Sequence, residues 1–297
     1  MKVAELTMAA IEEAIERDQG NSFRRYSQEL LPLQADAYAQ NEDQLRGHLG
    51  ASLLGRECPR ELWYSFRWAK TPKHGGRILR LFNRGHLEEA RMLASLKCIG
   101  VELWSKDAEG KQLRASFCDG HFGGSLDGIV RGIPDMPEIP MLAEFKTHNT
   151  KSFKKLVTDG LHFVKWEHLV QMTMYMGAFG LTHGLYMATN KDNDEYYCEI
   201  IGFDNTTYQR YYKRGMEIIN SPTPPPRIHN NPSWYKCKFC DYHSICHGSG
   251  TAERNCRTCV AARPMNGGGW HCSDTGEVRD TQLQKEGCSQ FIPITPI

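Results

Sequence analysis

Asp127, Glu144 and Lys146 are residues whose types and spacing could do chemistry together. Glu144 and Lys146 are two apart in Met141-Leu142-Ala143-Glu144-Phe145-Lys146, so on a strand both side chains leave the same face. Asp127 lies in Gly123-Gly124-Ser125-Leu126-Asp127-Gly128-Ile129-Val130. Its Leu, Ile and Val residues are strand formers, and its glycines mark a bend or a close backbone approach. Pro134, Pro137 and Pro140 fill the connection, as expected of a turn between antiparallel strands. Paired as a hairpin, the two stretches bring Asp127 to Glu144 and Lys146 at one end. Two carboxylates and a lysine on one edge suit a hard divalent cation, since Mg²⁺ takes carboxylate oxygens and keeps several waters for a substrate. The lysine can hold or polarise an attacking water. The plainer reading is an Asp-Gly turn beside a solvated Glu-x-Lys ion pair.

The elements that must position these groups follow from the hydrophobic pattern. Residues 76–98 predict a long helix carrying Gly85, His86 and Glu89, the last two on one face; on its own, Glu89 could simply pair with neighbouring arginines. Residues 101–118 predict strands leading into the hairpin. After Lys146 the chain turns polar and basic, with Thr147, His148, Asn149, Lys151, Lys154 and Lys155, types that donate to phosphate oxygens. Residues 165–180 predict a helix with a Met-rich core face, on which Gln171 and Tyr175 lie four apart. A strand pair is predicted over 184–190 and 195–203, and a helix over 205–219. The stiff linker Ser221-Pro222-Thr223-Pro224-Pro225-Pro226 follows. Upstream, residues 2–18 predict an amphipathic helix, and a polar stretch to about residue 46 completes a peripheral arm.

The chain has 297 residues, of which 40% are hydrophobic and 24% charged, an ordinary soluble composition. No run approaches the ~18 apolar residues of a membrane span, and the first residues lack a secretory apolar core, so a cytosolic protein is expected. The net charge of +1 excludes a uniformly basic nucleic-acid binder; any such contact must come from local clusters. Seven of the eleven cysteines fall between Cys237 and Cys288, which in the cytosol favours metal over disulfides. Cys237-x₂-Cys240-x₅-Cys246 needs a fourth ligand, for which His243, His247 and the distant Cys58 are candidates. Four thiolates would suit an iron–sulfur cluster, and zinc is the competitor. Cys256-x₂-Cys259-x₁₂-Cys272-x₁₅-Cys288 predicts a ribbon-like zinc element. Its segment holds too few apolar side chains to fold without help.

In this order the motifs resemble the PD-(D/E)xK nuclease superfamily, in particular its RecB-like and phage lambda-type exonuclease branch. Gly85-x₃-Glu89 looks like the first motif; RecB-type members usually carry histidine at the position of Glu89 and lambda-type ones glutamate, so His86 is the alternative ligand, but the register favours Glu89. Gly124-Ser125-Leu126-Asp127-Gly128 resembles the aspartate motif, with Leu126 replacing the usual proline. Glu144-Phe145-Lys146 and Gln171-x₃-Tyr175 are similar to the E-x-K and Q-x₃-Y motifs. Cys58-Pro59-Arg60 with Trp63-Tyr64, followed far downstream by Cys237, Cys240 and Cys246, is similar to the cysteine arrangement of the Cas4 and AddB nucleases.

The resemblance implies an α/β core, a mixed central sheet flanked by helices, over residues 49–220. A helical arm over 1–48 would precede it; a linker with iron–sulfur cysteines over 221–250 and a zinc-ribbon-like element over 251–297 would form a metal-stapled tail. It implies Mg²⁺ or Mn²⁺ on Glu89, Asp127, Glu144 and the Phe145 carbonyl, with Lys146 orienting the water and Gln171 and Tyr175 supporting the site. Lys151, Lys154 and Lys155 would track the DNA backbone. A [4Fe–4S] cluster is implied on Cys58, Cys237, Cys240 and Cys246; Cys256, Cys259, Cys272 and Cys288 are left for zinc. The expected activity is exonuclease action on DNA with free ends in the cytoplasm, that of a bacterial host if the chain is phage-encoded. It would serve recombination or repair, with a single-strand annealing protein as a possible partner, no membrane, and oligomers allowed. The alternatives are an inactive nucleic-acid-binding or assembly module, a Cas4-like end-trimming nuclease in CRISPR adaptation, and a redox-active cluster.

Overall fold

A computed structural model of the chain describes residues 1–33 and 45–294. Residues 34–44, within the expected arm, and 295–297 lie outside the described residues. In chain order the strands are β1 (Lys2–Val3), β2 (Leu49–Gly50), β3 (Glu102–Trp104), β4 (Arg114–Phe117), β5 (Phe122–Ser125), β6 (Gly128–Arg131), β7 (Met141–His148), β8 (His183–Asn190), β9 (Tyr196–Gly202), β10 (Ala262–Pro264), β11 (Trp270–Cys272) and β12 (Val278–Arg279). The helices are α1 (Glu5–Arg17), α2 (Asn21–Leu30), α3 (Pro59–Phe66), α4 (Gly76–Cys98), α5 (Thr150–Asp159), α6 (Leu161–Val164), α7 (Trp166–Phe179), α8 (Asn205–Asn220), α9 (Tyr235–Lys238), α10 (His243–His247) and α11 (Thr281–Glu286). Among the described residues no helix is long and apolar enough to cross a membrane.

The described residues divide into two units, each assembled from separate stretches. One takes in 1–33, His74–Ala115 and Ser125–Tyr208; the other takes in 45–73, Ser116–Gly124 and 209–294.

The first unit is built on a six-stranded sheet in the order β1-β9-β8-β7-β6-β3. Only β7 and β8 run parallel, and the crossover such a pair needs is supplied by α5, α6 and α7. The other pairs are antiparallel, so β6 and β7 form the expected hairpin, with Gly128 opposite Ala143. The period-2 alternation of β7 sorts its side chains. Met141, Ala143 and Phe145 join a core with Ile11 of α1, Leu30 of α2, Ala90 and Leu93 of α4, and Leu185 and Met187 of β8. Leu142, Glu144, Lys146 and His148 leave the opposite face. There α7 lies so close to β8 that a Cβ on Gly184 would stand 2.8 Å from the Met172 methyl.

In the second unit β2 runs parallel to β5, and β10, β11 and β12 form an antiparallel meander. Its core contains two buried guanidiniums to which no carboxylate among the described residues is hydrogen-bonded. Arg257 lies 3.7 Å from the Trp68 ring centre and 4.8 Å from that of Trp270. Arg67 lies 4.7 Å from Trp63 and 5.4 Å from Trp270. Their N–H groups donate to carbonyls: Arg257 to Gly47 at 3.0 Å and Phe66 at 3.2 Å, Arg67 to Arg257 at 3.0 Å. Arg257 Nε also donates to Gln284 Oε1 at 2.8 Å. Burial pushes the Arg67 guanidinium down to about 10 and Arg257 to about 9, so both remain cations at neutral pH. The tail is thereby packed onto α3, and the apolar side chains its own segment lacks come from Trp63, Phe66 and Trp68.

Candidate active site

The fold brings Asp127, Glu144, Lys146 and Glu89 together. Glu144 is fully buried, and Lys146 Nζ donates to its Oε1 and to the Phe145 carbonyl, the latter at 3.1 Å. Asp127, at the start of β6, accepts the Phe145 N–H on Oδ2 at 2.7 Å, which fixes its side chain against β7. Glu89 reaches the group from α4, with His86 Nδ1 3.7 Å from its Oε1.

The charges act on one another strongly. Burial, then the Glu144 and Glu89 charges, push the Asp127 carboxyl well above its ordinary range, against the pull of Lys146. Burial also raises Glu144, opposed by Lys146 and assisted by Glu89. Burial alone would lower the Lys146 ammonium, but Glu144 and Asp127 outweigh it and hold its pKa above the ordinary lysine value. In the metal-free protein Lys146 is therefore held as a cation that donates to Glu144 and Phe145.

Three carboxylates around one ammonium leave negative charge in excess, and Glu144 Oε2 is buried without a hydrogen-bond partner. An oxygen in that state is costly unless a proton or a cation meets it, and carboxylate oxygens are the donors a hard divalent ion takes. As placed, no three His, Cys, Asp or Glu side chains among the described residues form a group that could hold a metal. The Lys146 ammonium lies on Glu144 and supplies the positive charge there.

A polar network missed by the sequence reading adjoins the site. His148 is not part of the solvent-facing basic segment; it is the buried last residue of β7, on the face of Glu144 and Lys146. Its Nε2 lies 2.9 Å from Tyr186 Oη and its Nδ1 2.9 Å from Ser152 Oγ. Tyr186 Oη is also 3.0 Å from His168 Nδ1. Burial, with Lys165, Lys146 and Lys191, pushes His148 down to about 4, and burial with Lys146 pushes His168 down to about 2. Both rings are neutral, so the phenol can donate to one and accept from the other. In register, Tyr186 stands opposite Glu144 and then Glu199. Glu199 in turn accepts the Leu161 N–H at 2.9 Å and the Tyr197 hydroxyl at 3.0 Å. The period of β7 would have placed His148 here; Tyr186 and His168 come from distant stretches that no local pattern links.

Gln171 and Tyr175 are buried on α7, which packs on β7 and β8. Lys151, Lys154 and Lys155 are exposed on α5, which is anchored by the buried Phe153 and Leu156 and capped by Asn149, whose Oδ1 accepts the Ser152 N–H at 2.9 Å.

Cys58 and the seven cysteines from Cys237 to Cys288 fall in two neighbourhoods of the second unit. Burial, then Cys58 and Cys246, raise the Cys237 thiol, and burial with Glu61 and Cys58 raises Cys240 to about 12. Cys58 thus lies beside the downstream trio. Cys256 is raised by burial and also by Cys288, Cys259 and Cys272. Cys272 differs: burial would raise it, but backbone N–H groups of Thr275 and Asp274 and the Thr275 side chain hold it below the ordinary thiol value.

No family model matches the chain, and no curated protein matches it. Solved structures similar to it include LHK-Exo, an alkaline exonuclease from Laribacter hongkongensis, in two crystal structures. That in complex with dAMP is 19% identical, covering 58% of this chain and 86% of that chain at a TM-score of 0.43; the other is 18% identical with the same coverage at 0.41. SSO0001 is 18% identical, covering 76% of this chain and 97% of that chain at 0.41.

The raised carboxyls have a measurable consequence. A carboxyl with a raised folded pKa binds more protons folded than unfolded, so it adds stability at low pH that is lost as pH rises through the folded value. A divalent ion needs the ionised form and competes with those protons. Addition of Mg²⁺ should therefore raise the Tm more as the pH is increased from the acid side, because ligand stabilisation follows occupancy and occupancy needs the ionised carboxyls. A rise that is the same at every pH down to the acid limit of folding would exclude Asp127 and Glu144 as ligands.

Proposed function

We propose that the chain is a Mg²⁺- or Mn²⁺-dependent DNA exonuclease of the PD-(D/E)xK superfamily. The observation that carries this reading is the mutual action of the Asp127, Glu144, Glu89 and Lys146 charges, with Glu144 Oε2 buried and unpartnered among the described residues. Asp127, Glu144 and Glu89 would hold the ion, with the Phe145 carbonyl as a further oxygen. When bound, the ion neutralises charge on the phosphoryl oxygens and lowers the pKa of its water. Lys146, placed by its hydrogen bonds to Glu144 and the Phe145 carbonyl, would orient the attacking water. The Asp127–Phe145 bond holds the aspartate in place without reorganisation. Gln171 and Tyr175 support this face from α7. Incubation with linear and covalently closed circular duplexes of equal length tests the exonuclease reading: only the linear one should be degraded, and degradation of both would point to endonuclease action.

Lys151, Lys154 and Lys155 would pair with phosphates, contacts that carry no sequence information. Replacing all three by alanine should make log Kd less steep in log salt by about 2–3 units, roughly 0.9 for each duplex phosphate that is no longer neutralised. An unchanged slope would place the DNA elsewhere.

The thiols of Cys58, Cys237, Cys240 and Cys246 would hold a [4Fe–4S] cluster, and those of Cys256, Cys259, Cys272 and Cys288 a zinc ion. The N–H groups aimed at Cys272 favour a thiolate there, the form that binds metal. Protein purified without oxygen should be brown and carry about one zinc; Cys58→Ser should bleach the colour, and Cys272→Ser should release the zinc. A colourless preparation with two zinc ions would overturn the cluster and leave the nuclease reading standing.

A further inference from the structure

The second unit presents aromatic rings to solvent in a short basic segment. Tyr235 is 60% exposed and Phe239 80% exposed. They are four apart, flanking the buried Cys237 on and just beyond α9. Single exposed rings are ordinary, but these are interleaved with cations. Lys236 Nζ lies 5.6 Å from the Tyr235 ring centre and 5.9 Å from that of Trp234, and Lys238 Nζ lies 5.7 Å from Phe239. Trp234 is stacked on His229 with centres 5.2 Å apart and planes within 14°. There is no Asp or Glu between residues 218 and 240; Glu57 pairs with Lys236, and Glu61 and Asp241 act on Cys240 at its end. The backbone beneath is fixed by Lys238 N–H donating to Trp234 at 2.8 Å, Cys240 N–H to Cys237 at 3.1 Å and His243 N–H to Cys240 at 3.0 Å. The rings are thus held out on a rigid turn at little further entropic cost.

We propose that this segment is a stacking surface for single-stranded nucleic acid, with Tyr235 and Phe239 against base faces and Lys236 and Lys238 against phosphates. Rings alternating with cations are what sequence-tolerant single-strand binding requires. The neighbours Asn230, Asn231 and Ser233 are polar, whereas a protein hot spot seats its aromatic rings in an apolar, desolvated patch. The inference rests on the nuclease reading for its choice of polymer and adds a contact that reads base faces, which the α5 lysines do not.

The test uses the full chain carrying Asp127→Ala, so that the strand survives. Binding of a labelled oligo-dT and of an abasic oligonucleotide of equal length is compared by fluorescence anisotropy, with and without Tyr235→Ala plus Phe239→Ala. The double variant should bind oligo-dT about tenfold or more weakly, while its affinity for the abasic strand, which has the same phosphates, stays the same. Phe239→Trp should keep the oligo-dT affinity. Unchanged oligo-dT binding in the double variant, or an equal loss on both strands, would overturn the stacking surface. Lack of nuclease activity in the parent chain would overturn the proposed function instead and leave this comparison intact.

Discussion

Lys146→Ala is expected to lower the cleavage rate by about 10²–10³-fold, the usual loss when one preorganised transition-state donor is removed. The same change should lower the stability of the metal-free protein, because Glu144 is fully buried and Lys146 is its hydrogen-bonded counter-charge. Removing one partner of a buried pair leaves an uncompensated charge, softened here because Lys146 is itself about a quarter exposed, at 27%. The two losses should separate when Mg²⁺ is added. The ion can replace the missing positive charge beside Glu144 and restore the Tm, but it cannot replace the donor that orients the water. A variant with restored Tm and unrestored rate is the expected result. Near-wild-type turnover would remove Lys146 from the mechanism.

Trp270→Ala should destabilise the second unit by about 3–5 kcal/mol, the range for truncating a large buried aromatic residue. Trp270 is 1% exposed, its ring centre 5.1 Å from that of Phe66 and 6.0 Å from His121. It also forms one wall around both Arg67 and Arg257. The indole Nε1 makes no hydrogen bond, so the loss is one of packing and of cation–π attraction, and Trp270→Phe should recover much of it. Val278, also in the tail but 61% exposed, serves as control; its alanine variant should stay within about 0.5 kcal/mol. Urea titrations of the three variants give the ranking, and a wild-type midpoint for Trp270→Ala would mean that the tail does not share the core of this unit.

The parts of the site legible in the sequence are those set by local periodicity. Glu144 and Lys146 share a face because a strand has period two, and Asp127 reaches them because the proline-filled turn makes β6 and β7 a hairpin. The helices around Glu89 and Gln171 and the β8–β9 pair announce themselves by sustained apolar patterns, and the structure forms them within a residue or two of the expected limits. What the sequence hides is non-local. Tyr186 joins His148 to His168 only after the β7–β8 crossover has closed. The paired guanidiniums of Arg67 and Arg257 depend on rings from both ends of their unit, and arginine is normally a surface residue. The interleaving of 45–73, Ser116–Gly124 and 209–294 into one unit is equally non-local. The neighbourhood of Cys58 with Cys237 and Cys240 belongs to the same class: spacing left Cys58, His243 and His247 open as the fourth partner of the trio, and the resemblance pointed to Cys58.

The central claim is that the carboxylates around Lys146 hold an ion that cuts DNA. The direct measurement is release of labelled nucleotide from an end-labelled linear duplex by the purified chain and by its Asp127→Ala variant, each with Mg²⁺ and with excess EDTA. Release by the parent chain in Mg²⁺ alone, with none in the other three samples, is the predicted result. Release in EDTA, or equal release by Asp127→Ala, would contradict the account.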